Sequence, residues 1–142
     1  MAGLATLIKF AERRAEGALI GWQRLQAQCD EAKQKLFLLK KHGEGYRDLM
    51  RAGLQRGMSS TSMMTHIGFI GQIEAVAVRQ ESELGSLEAA CARQWHELVD
   101  ARREKRIYEI LNERAAIRDA ETASRRQQAE IDELLQRAAR AS

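Results

Sequence analysis

Three histidines and two cysteines are the residues of this chain best suited to metal binding or nucleophilic catalysis. His42, His66 and His96 are far apart, and His96-Glu97 lacks the second histidine of the H-E-x-x-H zinc motif. A Ser-His-Asp or Cys-His arrangement needs a concave site that excludes water. A pair of long helices offers no such site. The sequence therefore predicts no catalytic residue, no cofactor and no metal, and hence a protein that is not an enzyme.

The cysteines and glycines fit structural roles. Two cysteines, Cys29 and Cys91, are too few for a disulfide scaffold, and both fall on predicted helix-packing positions at different levels. We therefore predict two buried free thiols. The Gly43-Glu44-Gly45 segment lacks the lysine of a phosphate-binding loop and the spacing of a dinucleotide loop.

The composition predicts long helices. Ala, Glu, Lys, Leu and Arg account for 75 of the 142 residues, proline is absent, and only 5% of the residues are aromatic. That usage is typical of coiled coils. A β-rich fold needs more β-branched and aromatic residues, and a hydrophobic content of 44% is too high for a disordered chain.

Apolar or small residues recur every seven positions in the first third of the chain, in two rows three residues apart. The rows are Ile8, Ala15, Trp22, Cys29, Leu36, Gly43, Met50 and Leu4, Ala11, Ala18, Leu25, Ala32, Leu39, Tyr46. A second pair of rows runs from Met63 to Leu98 and from His66 to Tyr108. Patterning sustained over so many heptads indicates a coiled coil.

The break between these segments predicts a turn at about 53–62, with helix 1 at about 4–52 and helix 2 at about 63–140. Gly53 and Gly57 can end a helix, and the Ser/Thr cluster that follows can cap the next one. Folding the chain back places Leu39 beside Ala77, so that large residues face small ones. We predict an all-α fold, a single coiled-coil domain over residues 1–142 in which two long helices form an antiparallel hairpin.

Helix 2 is predicted to overhang helix 1 at the C-terminus, from about Leu111 to Arg140. The heptad register slips between Leu98 and Ile110. Beyond that point the apolar row is thin: Ile110, Ile117, Ser124, Ile131 and Ala138. Because a lone helix with a thin apolar stripe is marginal in water, we expect this C-terminal arm to be ordered by a partner.

The charge pattern predicts no nucleic-acid partner. The net charge is +3, from 23 basic and 20 acidic residues, and both signs are interleaved rather than concentrated on one face. The N-terminal segment carries Lys9, Glu12 and Arg13, so it lacks the uninterrupted apolar core of a signal peptide or membrane span. These features predict a cytoplasmic protein without direct membrane insertion, and the internal pairing of the two helices predicts a monomer.

Tyr46 and Phe69 lie close to the predicted turn, with Leu39, His42 and Ile73 nearby. A two-helix seam cannot fully bury so many large side chains, and exposed aromatic residues are typical interface anchors. At the level of sequence, packing in the seam and a binding surface both remain open. Trp22 and Trp95 are assigned to core packing.

Several short segments occur in a fixed order along the whole chain: Leu4-Ala5-Thr6-Leu7, Cys29 before Leu36, Glu44-Gly45-Tyr46-Arg47, Phe69-Ile70, Ile73-Glu74, Leu111-Asn112-Glu113-Arg114, Gln128, and Asp132-Glu133-Leu134-Leu135-Gln136-Arg137-Ala138-Ala139. In order, spacing and length the chain resembles the FliJ family, the small coiled-coil stalk proteins of bacterial flagellar type III export.

The resemblance implies a non-enzymatic stalk or adaptor that is cytoplasmic and peripheral at the inner-membrane export apparatus. Its partners would be the hexameric flagellar export ATPase, which it binds and stimulates, and the cytoplasmic domain of the export gate protein FlhA. Export chaperones, recycled after delivering their cargo, would be a third class of partner. These roles belong to flagellum biogenesis and motility.

The resemblance also implies two sets of binding residues. The export-gate set comprises Leu39, Tyr46, Phe69 and Ile73, with Lys35, His42, Val76 and Gln80 as additional members. His42 stands where the family pattern has an aromatic residue. The arm is the segment expected to enter the ATPase ring, through Arg125, Arg126, Gln128, Asp132, Glu133 and Arg137.

Other functions fit the same pattern. The chain could be the equivalent stalk of a virulence injectisome, which chromosomal neighbours would distinguish. A generic homodimeric coiled coil would form its seam between two chains and have the mass of a dimer. If it bound nucleic acid through a basic region, that binding would show a steep salt dependence. Export chaperones are also small and helical, but they tend to be acidic whereas this chain is basic.

Overall fold

The computed structural model describes residues 2–141, and they form two helices. Helix α1 spans Ala2–Arg56 and helix α2 spans Ser60–Ala141. The described chain contains no strand. The two helices run antiparallel and pack against each other, which confirms the predicted all-α hairpin.

The heptad rows predicted from the sequence are the buried rows of both helices. Every member of the two rows of α1 is buried or half-buried, from Leu4 to Met50. The same holds in α2 for the rows from Met63 to Leu98 and from His66 to Tyr108. The most completely buried positions are mostly small, such as Ala11, Ala32 and Ala101, because alanine at the seam lets two helix backbones approach closely.

The structure divides into two compact units. Of the described residues, 2–17 and 98–141 belong to unit 1 and 18–97 to unit 2. Each unit contains a stretch of α1 and a stretch of α2. The prediction of one domain over residues 1–142 stays a prediction.

The turn between the helices consists of residues 57–59 and is shorter than the predicted 53–62. Gly57 adopts a φ of +86°. Its N–H donates to the carbonyl of Leu54 (3.3 Å), and the N–H of Met58 donates to that of Gly53 (2.9 Å). This pair of hydrogen bonds is a Schellman cap. Gly53 therefore lies inside α1, with the Met58 side chain packed over it.

Helix α2 begins immediately after this cap. The hydroxyl oxygen of Ser59 accepts a hydrogen bond from the backbone N–H of Ser62 at 3.2 Å. Ser59 is thus the N-cap, and it satisfies one of the free donors of the first turn. One serine of the Ser/Thr cluster caps the helix and the rest belong to it, which explains why the predicted turn was too long.

Replacing Gly57 by alanine is expected to lower the free energy of unfolding by about 1 kcal/mol, because an L-residue pays that much to adopt a left-handed conformation. Gly68→Ala is the matched control: Gly68 is helical, and a Cβ added to it would meet only open space. The control should raise the free energy of unfolding by roughly 0.5–1 kcal/mol. Urea unfolding measures both, and the same sign for the two variants would contradict the cap assignment.

In unit 1, helix pairing ends near Ala115. Ala115 is the last buried residue of α2, and every described side chain from 116 to 141 is exposed. The observed arm is therefore the segment 116–141, which begins about five residues later than predicted; from here on, the arm means these residues. The row of Ala101 continues through Tyr108 to Ala115 without a register slip. The row of Leu98 does not continue in this way, because Asn112 is exposed whereas Ile110 is half-buried. Ile117 and Ile131 form a separate, exposed stripe on another face of the helix.

Cys29 and Cys91 are both buried and both free, as predicted. The thiol of Cys91 donates to the side-chain oxygen of Gln26 at 3.2 Å. Burial, followed by the neighbouring Cys91 and Glu88, raises the pKa of the Cys29 thiol. The folded protein therefore keeps this proton to a higher pH than the unfolded chain does.

That raised pKa predicts a loss of stability at alkaline pH. Above the unfolded thiol's pKa of 9.0 the unfolded chain releases the proton first, so the free energy of unfolding falls as pH rises. Urea unfolding of the protein and of a Cys29→Ala variant at pH 7 and pH 10 isolates this contribution. The destabilisation caused by Cys29→Ala should be smaller at pH 10 than at pH 7, and an equal loss at both would contradict the prediction.

Candidate functional site

Unit 2 brings the eight predicted gate residues together as two rows of identical spacing. Lys35, Leu39, His42 and Tyr46 follow one another at four, three and four residues on α1, and Phe69, Ile73, Val76 and Gln80 do so on α2. Such spacing keeps each row on one helix face. We call these eight residues the turn-proximal surface.

The rings of Tyr46 and Phe69 join the two rows. Their centroids are 6.0 Å apart and their planes differ by 8°. Because the helices are antiparallel and the spacing is the same, this contact places His42 level with Ile73, Leu39 with Val76, and Lys35 with Gln80. The two rows therefore meet pair by pair along the seam.

The turn-proximal surface combines four half-buried and four exposed side chains. Leu39, Tyr46, Ile73 and Gln80 are half-buried, whereas Lys35 and His42 are exposed. Phe69 is 49% exposed and Val76 is 45% exposed. Aromatic and aliphatic side chains exposed over a packed seam form a surface that a partner protein can cover.

Two contacts hold the rows in place. The side-chain amide of Gln80 donates to the carbonyl of Ala32 at 3.4 Å. At Gly43 an added Cβ would lie 3.4 Å from Cγ2 of Ile73, so the absence of a side chain lets the two helices approach closely at this level. The surface is therefore presented by a braced pair of helices rather than by a loop.

The other side of the same seam is closed by charge. Lys40 pairs with Glu81 at 3.1 Å, and Arg47 pairs with Glu74. By helical periodicity, Lys40 and Arg47 flank the buried rows of α1 on the edge opposite to Lys35 and His42. Between the two ion pairs lies a shallow groove of about 420 Å³. Of the two sides of this seam, the turn-proximal surface exposes aromatic and aliphatic residues, and no described ion pair joins the two helices across it.

Trp22 and Trp95 pack against each other farther from the turn, with ring centroids 5.2 Å apart and planes tilted by 54°. Trp22 is half-buried, but Trp95 is 43% exposed. The assignment of both to core packing is therefore wrong for Trp95. Its indole packs on the seam residue Trp22 from the edge of the seam, beside Cys29 and Cys91.

The six predicted ATPase-binding residues are all exposed on the arm in unit 1. Gln128 donates to Asp132 at 3.1 Å, and Arg137 pairs with Glu133 at 2.9 Å. The guanidinium groups of Arg125 and Arg126 make no hydrogen bond or ion pair within the described chain. Ile131 and Leu134, 50% and 62% exposed, lie on the helix face away from Arg126 and Glu133. The arm therefore has a charged face and an apolar stripe.

No group of three or more His, Cys, Asp or Glu residues in the described range 2–141 is arranged to hold a metal ion. Among the same residues, no helix combines the length and the apolar character needed to cross a lipid bilayer.

Comparison with known proteins decides the family. The family model described as flagellar FliJ protein matches residues 1–142, the whole of the sequence. The chain belongs to the FliJ family. It is similar to the flagellar FliJ protein of Escherichia coli K12, with 26% identity over 144 residues, covering 96% of this chain and 92% of that protein. No solved structure matches it.

Membership of the FliJ family makes this chain a component of flagellum biogenesis and protein export. The fold agrees with that assignment, since a helical hairpin is the architecture that the resemblance implied. The particular residues that meet each partner are not given by family membership, and they stay predictions.

Sequence reasoning missed the ion pairs that close one side of the seam in this FliJ-family chain. A signal for them was present. Basic residues recur at seven-residue spacing at Lys33, Lys40 and Arg47, and acidic ones recur at Glu74, Glu81 and Glu88. Opposite charges flanking two facing heptad rows are the usual specifiers of coiled-coil orientation.

Proposed function

We propose that this chain is a non-enzymatic stalk and adaptor of the flagellar type III export apparatus. In this role it binds and stimulates the hexameric export ATPase and contacts the cytoplasmic domain of the gate protein FlhA. The observation that carries the proposal is that the chain has two different exposed surfaces, one in each unit. A braced seam exposes an aromatic pair in unit 2, and a helical arm with no buried side chain extends from unit 1.

The turn-proximal surface is the proposed contact with FlhA. Phe69 and Val76 expose about half of their area over a seam that is already packed, so a partner can bury them without ordering a flexible segment. Tyr46 supports Phe69 by stacking. Lys35 and His42 provide polar contacts at the edge, where an interface is normally hydrated.

The arm is the proposed contact with the ATPase ring. Its exposed, mixed charges at Arg125, Arg126, Gln128, Asp132, Glu133 and Arg137 can make many weak contacts with a pore lining. Weak contacts of alternating sign give no single deep energy minimum, which suits a stalk at the centre of a symmetric ring. Export chaperones are the third proposed partner, and the proposed location is the cytoplasmic side of the inner membrane, peripheral to the export gate.

The test is the rate of ATP hydrolysis by the purified flagellar export ATPase, with and without the full chain. We expect a severalfold rise that saturates at a substoichiometric ratio of this chain to the ATPase protomer, because one stalk serves one ring. No rise, under conditions in which the ATPase alone forms hexamers, would leave only a generic coiled-coil adaptor.

A further inference from the structure

A cluster of large apolar side chains is exposed in unit 1, on the side of the seam marked by the ion pair between Arg14 and Glu104. That contact establishes which residues of α1 and α2 lie level with one another. Phe10 and Ile107 lie about one helical turn beyond it, and Leu7 and Leu111 lie two turns beyond it. We call these four residues the N-terminal patch.

The N-terminal patch is exposed although it flanks a packed seam. The exposed fractions are 45% for Leu7, 61% for Phe10, 56% for Ile107 and 42% for Leu111. Together they present on the order of 300 Å² of apolar surface, comparable to the largest patch of a typical monomer. The buried residues beside them are already in place, for example Ala11 and Ala115, so the seam does not need these four side chains.

The charges that surround the patch are predominantly positive. Arg13 on α1 and Arg103, Arg114 and Arg118 on α2 lie within a turn or two of its members, and within the described chain no carboxylate pairs with their guanidinium groups. Glu104 is neutralised by Arg14 and accepts a hydrogen bond from the Tyr108 hydroxyl at 3.2 Å. A further carboxylate, that of Asp100, stands seven residues before Ile107. An apolar centre framed by free guanidinium groups is complementary to an apolar stripe flanked by carboxylates.

We propose that the N-terminal patch is a docking site for an acidic amphipathic helix of a partner protein. The partner's apolar residues, spaced three and four apart, cover Phe10, Ile107, Leu7 and Leu111, and its flanking Glu and Asp side chains pair with the arginines. A three-helix arrangement results, in which the partner helix lies along the groove between α1 and α2. None of the residues assigned to FlhA or to the ATPase takes part, so this site stands independently of those two proposals.

The ion pair at the edge of the patch favours a protein helix over a lipid surface. Inserting Phe10 and Leu7 into a bilayer would bring the Glu104 carboxylate and its Arg14 partner toward hydrocarbon, and desolvating such a pair is costly. A helix can lie beside the pair and leave it hydrated at the rim. Guanidinium groups also suit carboxylates particularly well, because their planar geometry allows two parallel hydrogen bonds.

The test uses the full chain and a fluorescent 21-residue peptide with Leu at the a and d positions of three heptads and Glu at e and g. Fluorescence anisotropy is expected to show saturable binding that weakens as salt rises from 50 to 300 mM. A second peptide, with Lys replacing every Glu, is expected not to bind. Phe10→Gln/Ile107→Gln and Arg103→Glu/Arg114→Glu should each weaken binding of the acidic peptide by about tenfold or more.

The matched control is Phe37→Gln/Ile131→Gln, which changes the same two residue types at exposed positions outside the patch (65% and 50% exposed). It should leave the affinity within about twofold. The charge-reversal variant keeps all four apolar side chains and changes only exposed arginines. A thermal melt of this variant should match that of the intact protein, and a loss of binding with an unchanged melt is then due to the charges. Three results would overturn the proposal: no binding of the acidic peptide, equal binding of the basic peptide, or binding to phosphatidylglycerol vesicles that the same variants abolish.

Discussion

Deleting residues 116–142 is expected to abolish stimulation of the export ATPase while the remaining hairpin stays folded. The deletion removes no buried side chain, since Ala115 is the last buried residue and all described side chains beyond it are exposed. It does remove every residue proposed to meet the ATPase ring. A part of the chain that contributes nothing to its own packing but is helical throughout is available for a partner.

Two measurements separate these consequences. Thermal unfolding of the shortened chain should keep its midpoint within a few degrees of the intact protein, and the ATPase rate should fall to that of the ATPase alone. The control is the full chain with Phe69→Ala. This variant is altered in unit 2 alone and should stimulate the ATPase as much as the intact protein does. Full stimulation by the shortened chain would show that the arm is not the part that engages the ring. A large fall in the midpoint would show that the arm stabilises the hairpin.

The fold was predictable because the sequence repeats apolar residues with a regular seven-residue period. Two apolar rows three residues apart, repeated over seven heptads, define which face of each helix is buried, and every residue of those rows is buried or half-buried. The antiparallel register followed from folding the chain at its glycines. Side-chain contacts such as Tyr46 with Phe69 and Lys40 with Glu81 are those of a chain folded back in that register.

What could not be predicted depends on local geometry. From the sequence, Gly53 and Gly57 are equally suited to end the helix, but only Gly57 adopts a positive φ. The hydrogen bonds of the cap determine which glycine ends the helix, and the heptad period contains no information about those bonds. The apolar row of Ile117 and Ile131 suggested a shifted seam, whereas it forms an exposed stripe.

The candidate surfaces were only partly readable from residue types. Exposed aromatics could be expected near the turn, but seam packing and partner binding could not be distinguished for Tyr46 and Phe69. The structure shows that Tyr46 is half-buried in the seam, and that the ring it supports is half-exposed. The N-terminal patch was missed because Leu7, Phe10, Ile107 and Leu111 belong to no heptad row. They come together only once the two helices are paired.

Phe69→Ala is expected to weaken binding to the cytoplasmic domain of FlhA by about 30-fold or more, because an aromatic anchor buried at the centre of an interface is commonly worth about 2 kcal/mol or more. In the free protein, Phe69 is 49% exposed and packs on Tyr46. Its loss should therefore cost the fold little, whereas Tyr46→Ala also removes a seam residue. The double variant should abolish measurable binding, since neither ring remains to be buried.

Phe37→Ala supplies the matched control, because Phe37 is 65% exposed and lies outside the turn-proximal surface. Calorimetric titration of the FlhA domain with each variant, alongside a thermal melt, measures affinity and folding separately. Unchanged affinity in Phe69→Ala, or an equal loss in Phe37→Ala, would contradict the assignment of this surface. A loss in Phe69→Ala that Phe37→Ala does not share would show that FlhA contacts the turn-proximal surface. The charged side of the same seam, with Lys40–Glu81 and Arg47–Glu74, is untouched by the substitution.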